Sequence, residues 1–483
     1  MDSVKEQTIT SVKWTAIEKL GLWGMQFVLG IIMARLLAPE DYGTIGMIGI
    51  FLAISNTFID GGLGCAVVRK QNCTHTDYCT VFYFNIVVAA FFYAVLFLAA
   101  PLIADFFHTP ILKAIVRVQS INFLINSLMQ VQVAQLRKDL DFKALAKCSM
   151  IATLFSGIIG ICFAYLGFGV WALVFQGIIS TLINLIYIWL YSKWRPSLIF
   201  SWNSFKELGG FGSRLLAASL LNTVYDNMTT LVIGRYYSAK DLGNYNRGTS
   251  LASMPVDAVC STLMKVTFPI LTKIQDDSER LIAVYRKYIK VMSIPIFFGC
   301  MLLISISKPV IIILLTEKWL PAVPYLVIYA FSVMFSHISV LNLNLLQVKG
   351  YSDIFLKLEV IKKTISFVIL FASIPFGVIG ICISKVIYTQ IAMYINTYYT
   401  GKLFNLGYLT QLKDFSGYLI KSIVSCLPMF LVNTFSDIPP VAGLLIGIFL
   451  GVVLFYFLIR KDENFVELLQ MASIKLPFLN KII

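Results

Sequence analysis

ARLLAPEDYG, residues 34–43, closes the first hydrophobic stretch of the chain, and GRYYSAKDLG, residues 234–243, closes a later one. Arg35 falls on Arg235, Asp41 on Asp241 and Gly43 on Gly243. Further out, Pro101 falls on Pro309, and Phe168, Gly169 and Val170 fall on Phe376, Gly377 and Val378. Arg137 and Asp141 then fall on Lys349 and Asp353, so the offset grows slowly from 200 to 212. Markers kept in one order at a nearly fixed spacing indicate a duplicated bundle. In membranes such repeats are typical of transporters, with the site between the two halves.

The composition places that bundle in a bilayer. Hydrophobic residues make up 58% and charged residues 13%, with a mean hydropathy of +0.81. Soluble domains carry about 25% charged residues. A bilayer core needs roughly 20 apolar residues per helix. Runs of that kind lie near 12–36, 42–65, 80–104, 112–135, 142–165 and 168–192. A second set lies near 209–235, 242–270, 282–315, 320–347, 354–375 and 377–400, and two more near 415–435 and 439–459. The expected fold is an all-α integral membrane protein of about fourteen transmembrane helices. Two parallel six-helix repeats surround a central cavity and two helices follow. The lobes are read as 1–200 and 201–410, with 411–483 holding the extra pair and a short tail. The start reads as a first membrane helix, because it lacks the small-residue cleavage site of a signal peptide.

Basic residues set the orientation. With a cytoplasmic N-terminus, that side collects Arg69, Lys70, Arg137, Lys138, Lys143, Lys193, Arg195, Arg280, Arg286, Lys349, Arg460 and Lys461 among others. The opposite side holds chiefly Arg35, Lys113, Arg235, Lys240 and Lys318. The positive-inside rule then puts both termini in the cytoplasm. Six is even, so the second half enters the membrane in the same direction as the first. The net charge of +14 is spread over short connections, which suits anionic lipid heads rather than nucleic acid.

Enzyme chemistry has little to stand on. His75, His108 and His337 are far apart, and Cys73 and Cys79 with His75 do not have a zinc spacing. The nine cysteines read as small reduced thiols. GGLG, residues 61–64, lacks the Lys-Ser/Thr of a phosphate loop and reads as a close helix contact.

Polar side chains inside spans are costly and mark cavities or helix contacts. Gln119, Asn122, Asn126 and Gln130 share one face of the fourth span, with Arg117 just above. Asn56 and Asp60 are four apart, as are Asn222 and Asp226. Arg247 and Asp257 lie on roughly one face of the eighth span, and Lys385 lies early in the twelfth. Arg35 and Arg235 sit at span ends, where snorkelling accounts for them, and Gly43 and Gly243 suit a tight turn or cap.

ARLLAPEDYG followed by FIDGGLGCAVVRK, residues 58–70, resembles the start of bacterial polysaccharide flippases of the Wzx type. LGFGVWALV (166–174), WRPSL (194–198), IGRYYSAKDLGNYNRG (233–248), FPILTKIQDDSERL (268–281) and EKWLPAVPYL (317–326) continue the likeness in order. They resemble the subgroup that exports colanic and teichuronic acid. The resemblance implies membership of the multidrug/oligosaccharidyl-lipid/polysaccharide exporter superfamily. It also implies transfer of an undecaprenyl-pyrophosphate-linked oligosaccharide between leaflets of the bacterial inner membrane by alternating access. No cofactor is expected beyond coupling to H⁺ or Na⁺. A polysaccharide polymerase and a chain-length regulator are the expected protein partners, in lipopolysaccharide or exopolysaccharide biosynthesis.

The family supplies no catalytic motif, so roles follow from side-chain chemistry. Arg117, Arg247 and Lys385 suit the phosphates, and Asn122, Asn126, Gln130 and Asn222 suit sugar hydroxyls. Asp60, Asp226 and Asp257 suit an ion. Two alternatives remain at this level. A drug/cation antiporter of the same superfamily would favour acids over bases in its cavity. A membrane glycan polymerase or acyltransferase would need a large outward loop or a catalytic His/Arg/Asp set.

Overall fold

A computed structural model describes residues 2–60, 63–436 and 438–473, with some side chains among them, that of Asp60 included, outside the described set. Two compact units divide the chain, Met1–Gly243 and Asn244–Ile483. The first contains α1 (Asp2–Leu36), α2 (Pro39–Asp60), α3 (Leu63–Arg69), α4 (His75–Phe106), α5 (Leu112–Gln119), α6 (Ile121–Ser127), α7 (Gln130–Lys138), α8 (Phe142–Tyr165), α9 (Val170–Tyr191) and α10 (Trp202–Tyr236). The boundary falls inside α11 (Ala239–Lys273). The second unit continues with α12 (Ser278–Ser305), α13 (Ser307–Leu315), α14 (Ala322–Val333), α15 (Ser336–Val348), α16 (Ser352–Ser373), α17 (Gly377–Phe404), α18 (Tyr408–Phe435), α19 (Pro440–Ile459) and α20 (Glu463–Ser473).

The duplication read from the sequence recurs in the backbone. α1 and α10 are both 35 residues long, and α2 and α11 open at Pro39 and Ala239. Left-handed backbone recurs as well: φ is 53° at His108 and 81° at Thr316, 55° at Gly169 and 77° at Gly377. Leu140 (58°) matches Gly350 (78°), each directly after a helix C-cap, at Asp139 and Lys349. This last match corrects the pairing of Arg137 with Lys349, which lies two residues out of register. The shared turn, not the charge, is what the two copies keep.

Nine stretches among the described residues are long and apolar enough to cross a membrane, and one of them, Ser352–Phe404, contains both α16 and α17. That is fewer than the fourteen expected, for physical reasons. α10 and α11 have the length but carry Arg, Lys, Asp, Asn and Ser along it. The fourth expected span is a rod bent into α5, α6 and α7. At the first bend the Ser120 hydroxyl bonds back to the Val116 carbonyl, and the amide of Phe123 reaches only three residues back, to Ser120. A hydroxyl that takes the i−4 carbonyl bends a helix in this way.

Small residues let the helices close up. In the first unit Gly157 of α8 lies against Leu29 of α1, and Gly160 against Gln176 of α9. In the second, Gly443, Gly447 and Gly451 line one side of α19 and pack against Asn433, Met429 and Cys426 of α18. Gly64 has open space within 4 Å, so the close packing expected of GGLG is not found there, and Gly61 and Gly62 lie outside the described residues. The expected tail includes α20, tied back by Lys287 to Glu467 at 2.6 Å.

Candidate functional site

The echoed decapeptides resolve into local roles. Asp41 Oδ2 accepts the Ala38 N–H at 2.9 Å, and Asp241 Oδ2 accepts the Ser238 N–H at 3.3 Å. Each carboxylate lies in the first turn of its helix, where it also offsets the positive dipole end. Gly43 and Gly243 are buried and neither has positive φ, so the expected turn gives way to a different need. A Cβ at Gly43 would overlap the Ala239 carbonyl oxygen, and one at Gly243 would overlap that of Pro39. The N-terminal turns of α2 and α11 therefore cross at backbone contact. Arg235 donates to the Phe106 carbonyl and to Nε2 of His108 at 2.6 Å.

Inside the first unit, α2, α4, α5 and α6 hold Asn56, Asn85, Gln119 and Asn122. The side-chain oxygens of Asn56, Gln119 and Asn122 and the amide nitrogen of Asn85 are buried and have no hydrogen-bond partner among the described residues. Gln119 and Asn122 border the same point of α9, a Cβ at Gly177 coming within 3.1 Å of Gln119 Nε2 and 4.0 Å of Asn122 Nδ2. An unmet buried amide costs about 1–3 kcal/mol. Groups of this kind are suited to meeting polar cargo or water.

The remaining candidates are distributed as follows. Arg117 donates from Nε to the Phe97 carbonyl at 3.3 Å and stacks 4.3 Å over the Phe97 ring. Asn126 is half-buried farther along the bent rod. Gln130 lines a cavity of about 430 Å³ among α7, α8 and α9, whose lining includes neither Gln119 nor Asn122. Asn222 and Asp226 are exposed on α10, while the Asp60 side chain lies outside the described residues.

Arg247, Asp257 and Lys385 belong to the second unit. Arg247 is half-buried with its guanidinium 6.0 Å from the Trp319 ring. Its neighbour Gly248 faces the Ala322 carbonyl and the Leu326 amide. The motifs at 233–248 and 317–326 are therefore two sides of one packing seam. Asp257 is exposed, Lys385 is half-buried, and the Lys385 carbonyl accepts from Ser332 Oγ at 3.2 Å.

Of a densely connected polar cluster in the second unit, the sequence singles out Asn342 as an intramembrane polar residue but not its partners. Gln411 Oε1 accepts from Asn342 Nδ2 at 2.9 Å and from Tyr285 at 3.3 Å. Thr400 donates to Asn342 Oδ1 at 2.7 Å, and Gln411 Nε2 donates to the Leu406 carbonyl at 2.8 Å. One turn along α18, Asp414 takes two 2.8 Å hydrogen bonds from Arg286 and lies 3.5 Å from Lys290. Gln411 and Asp414, three apart on one helix face, were the available signal. Their partners on α12 and α15 lie 69 to 128 residues away, which no spacing rule reaches.

At one end of the first unit Lys70 contacts Glu207 at 2.9 Å and Asp77 at 3.0 Å. The hydrogen bonds of Glu207 and then Asp77 hold the Lys70 ammonium above its ordinary range. A raised lysine pKa favours folding below its unfolded value, and the benefit is lost only as pH rises through the folded one. The pair with Glu207 is therefore intact at neutral pH. Glu207 is 63% exposed, so Glu207→Gln should cost about 0.5 kcal/mol. A salt titration of the melting temperature checks this: the small difference from wild type should vanish at high salt.

Long apolar helices, two units of matching internal order and polar groups kept inside them define a multi-pass membrane protein of transporter type. The sequence model of the polysaccharide biosynthesis protein family matches residues 32–324. The chain belongs to that family, as the motifs led one to expect. It is 26% identical to the teichuronic acid biosynthesis protein TuaB of Bacillus subtilis (strain 168) over 73% of this chain and 74% of the relative. It is 27% identical to the lipopolysaccharide biosynthesis protein WzxC of Escherichia coli (strain K12), over 78% of this chain and 76% of the relative. Among solved structures, the lipid II flippase MurJ in an inward closed conformation has the same fold. Its TM-score is 0.71 at 14% identity, covering 92% of this chain and 98% of that one.

Proposed function

We propose that this protein is a flippase for an undecaprenyl-pyrophosphate-linked oligosaccharide, moving it from the cytoplasmic to the outer leaflet of the bacterial inner membrane for surface polysaccharide export. The observation that carries this reading is the set of polar groups exposed on the 35-residue helices α10 and α11, Asn222 and Asp226 on the first and Asp257 on the second, together with the buried, unmet amides of Gln119 and Asn122 on the bent rod of α5 and α6. A carboxylate facing hydrocarbon costs at least about 2.5 kcal/mol. Exposed on such a helix, it belongs to a water-filled path.

Such a path is what this cargo requires. A pyrophosphate and its glycan cannot cross about 30 Å of hydrocarbon unaided. Arg247, Lys385 and Arg117 neutralise the phosphates, and Asn122, Asn126, Gln130 and Asn222 exchange hydrogen bonds with sugar hydroxyls. Asp60, Asp226 or Asp257 binds the coupling H⁺ or Na⁺. Alternating access exposes these groups to one leaflet at a time, and both termini stay in the cytoplasm. The polymerase and chain-length regulator act on the delivered lipid.

Deleting the gene in a strain with no second flippase should abolish surface glycan and leave the lipid-linked oligosaccharide on the inner leaflet. Wild-type complementation should restore export. Arg247→Ala, expressed at the wild-type level, should restore less than about a tenth, equivalent to losing about 1.4 kcal/mol or more of phosphate binding. Unchanged surface glycan in the deletion strain would overturn the reading.

A further inference from the structure

The 430 Å³ cavity of the first unit has a donor-rich lining, of which only Gln130 is among the groups assigned to the cargo. Arg137 comes from the last turn of α7 and is exposed, and Gln130 stands two turns above it on the same helix. Asn184 of α9 and Ser149 of α8 face them across the space. The Cys148 thiol donates to Asn184 Oδ1 at 3.0 Å, which fixes the amide on the wall. Among the described residues no Asp or Glu lines the cavity and no carboxylate pairs with Arg137. Of the two acids that follow in the chain, Asp139 is the exposed C-cap of α7 and is not part of the lining, and Asp141 is committed to the Ala144 amide at 3.1 Å and the Tyr191 hydroxyl at 2.6 Å. Phe142 and Leu145 make part of the wall apolar. A guanidinium, two amides and a hydroxyl, with no anion present, select an anion. The apolar wall selects one that carries a hydrocarbon chain.

Depth identifies the source. α8 and α9 both qualify as membrane spans, and the cavity runs from the first residue of α8 to Asn184, two turns from the end of α9 at Tyr191. Two turns are about 11 Å. The polar layer on each side of a bilayer is about 5–7 Å thick. The cavity therefore straddles the level of lipid phosphates and the first carbons below them, where basic pockets between helices take lipid headgroups.

We propose that this cavity binds the phosphate of a membrane lipid, with Arg137 on the phosphate and the start of the chain against Phe142 and Leu145. The full-length protein, delipidated in detergent, would be titrated by native mass spectrometry with phosphatidylglycerol, a polyprenyl phosphate, diacylglycerol and inorganic phosphate. A lipid phosphate should be retained and diacylglycerol should not. Arg137→Ala should cut retention about tenfold and Arg137→Lys by less, a factor that follows from losing one charge-assisted contact. Retention of phosphatidylglycerol identifies a bilayer lipid, and retention of the polyprenyl phosphate alone identifies the carrier lipid. Either supports the proposal. Equal retention by Arg137→Ala with an unchanged melting temperature, equal binding of diacylglycerol, or equal binding of inorganic phosphate overturns it. The readout is binding without transport, so it stands or falls apart from the flippase reading.

Discussion

Gly43→Ala is expected to destabilise the protein by about 3 kcal/mol, at the upper end of what overpacking costs. The added methyl would sit on the Ala239 carbonyl oxygen, so the N-terminal turns of α2 and α11 must separate. A drop of roughly 6–12 °C in the detergent melting temperature corresponds to that energy for a unit of this size. Gly49→Ala is the control, because it lies in the same helix with nothing within 4 Å. It should be neutral or slightly stabilising, since alanine is the better helix former by about 1 kcal/mol. Gly243→Ala should match Gly43→Ala, and the double variant should cost less than the sum, because both open one crossing. A Gly43→Ala melt within a degree or two of Gly49→Ala would show that the crossing does not hold the helices together.

Asp414→Ala carries the second largest effect, a loss of about 2–3 kcal/mol. Its side chain is 3% exposed, whereas Arg286 is 41% exposed. Breaking a fully buried pair costs about 3–5 kcal/mol, and the partial exposure of Arg286 reduces this because the guanidinium can turn to water. Removal of the carboxylate also leaves Arg286 and Lys290 on one helix face without the acid between them. Melting of Asp414→Ala, Arg286→Ala and the double variant measures the pair directly. A coupling of at least about 1 kcal/mol is expected. Independent effects of the two substitutions would mean that the neighbouring Gln411 network, and not this pair, ties α12 to α18.

The repeat was legible because its markers are backbone needs. Asp41 and Asp241 cap helices, and Gly169 and Gly377 turn the chain with positive φ, so those residue types recur wherever the turn recurs. Arg137 and Lys349 misled by two residues because charge is a looser requirement than a left-handed turn. Leu140 fills that turn in one copy and Gly350 in the other, and nothing in their chemistry pairs them. The polar stripe from Gln119 to Gln130 was legible as polarity, whereas the bend at Ser120 that breaks its helix into a rod of short pieces was not, since spacing assumes a straight helix. The Gln411 and Asp414 cluster stayed hidden for a different reason. Both sit in α18, well beyond the last motif at 317–326, and their partners come from α12, α15 and α17.

The crossing of Gly43 and Gly243 also limits how evolution can repair it. Each glycine faces not a side chain but a carbonyl oxygen, of Ala239 or Pro39, and every amino acid has that oxygen. No substitution at residue 239 or 39 can make room for a methyl opposite. A screen for second-site suppressors of Gly43→Ala should therefore return true revertants or changes that reposition whole helices, and no compensating exchange at the point of contact.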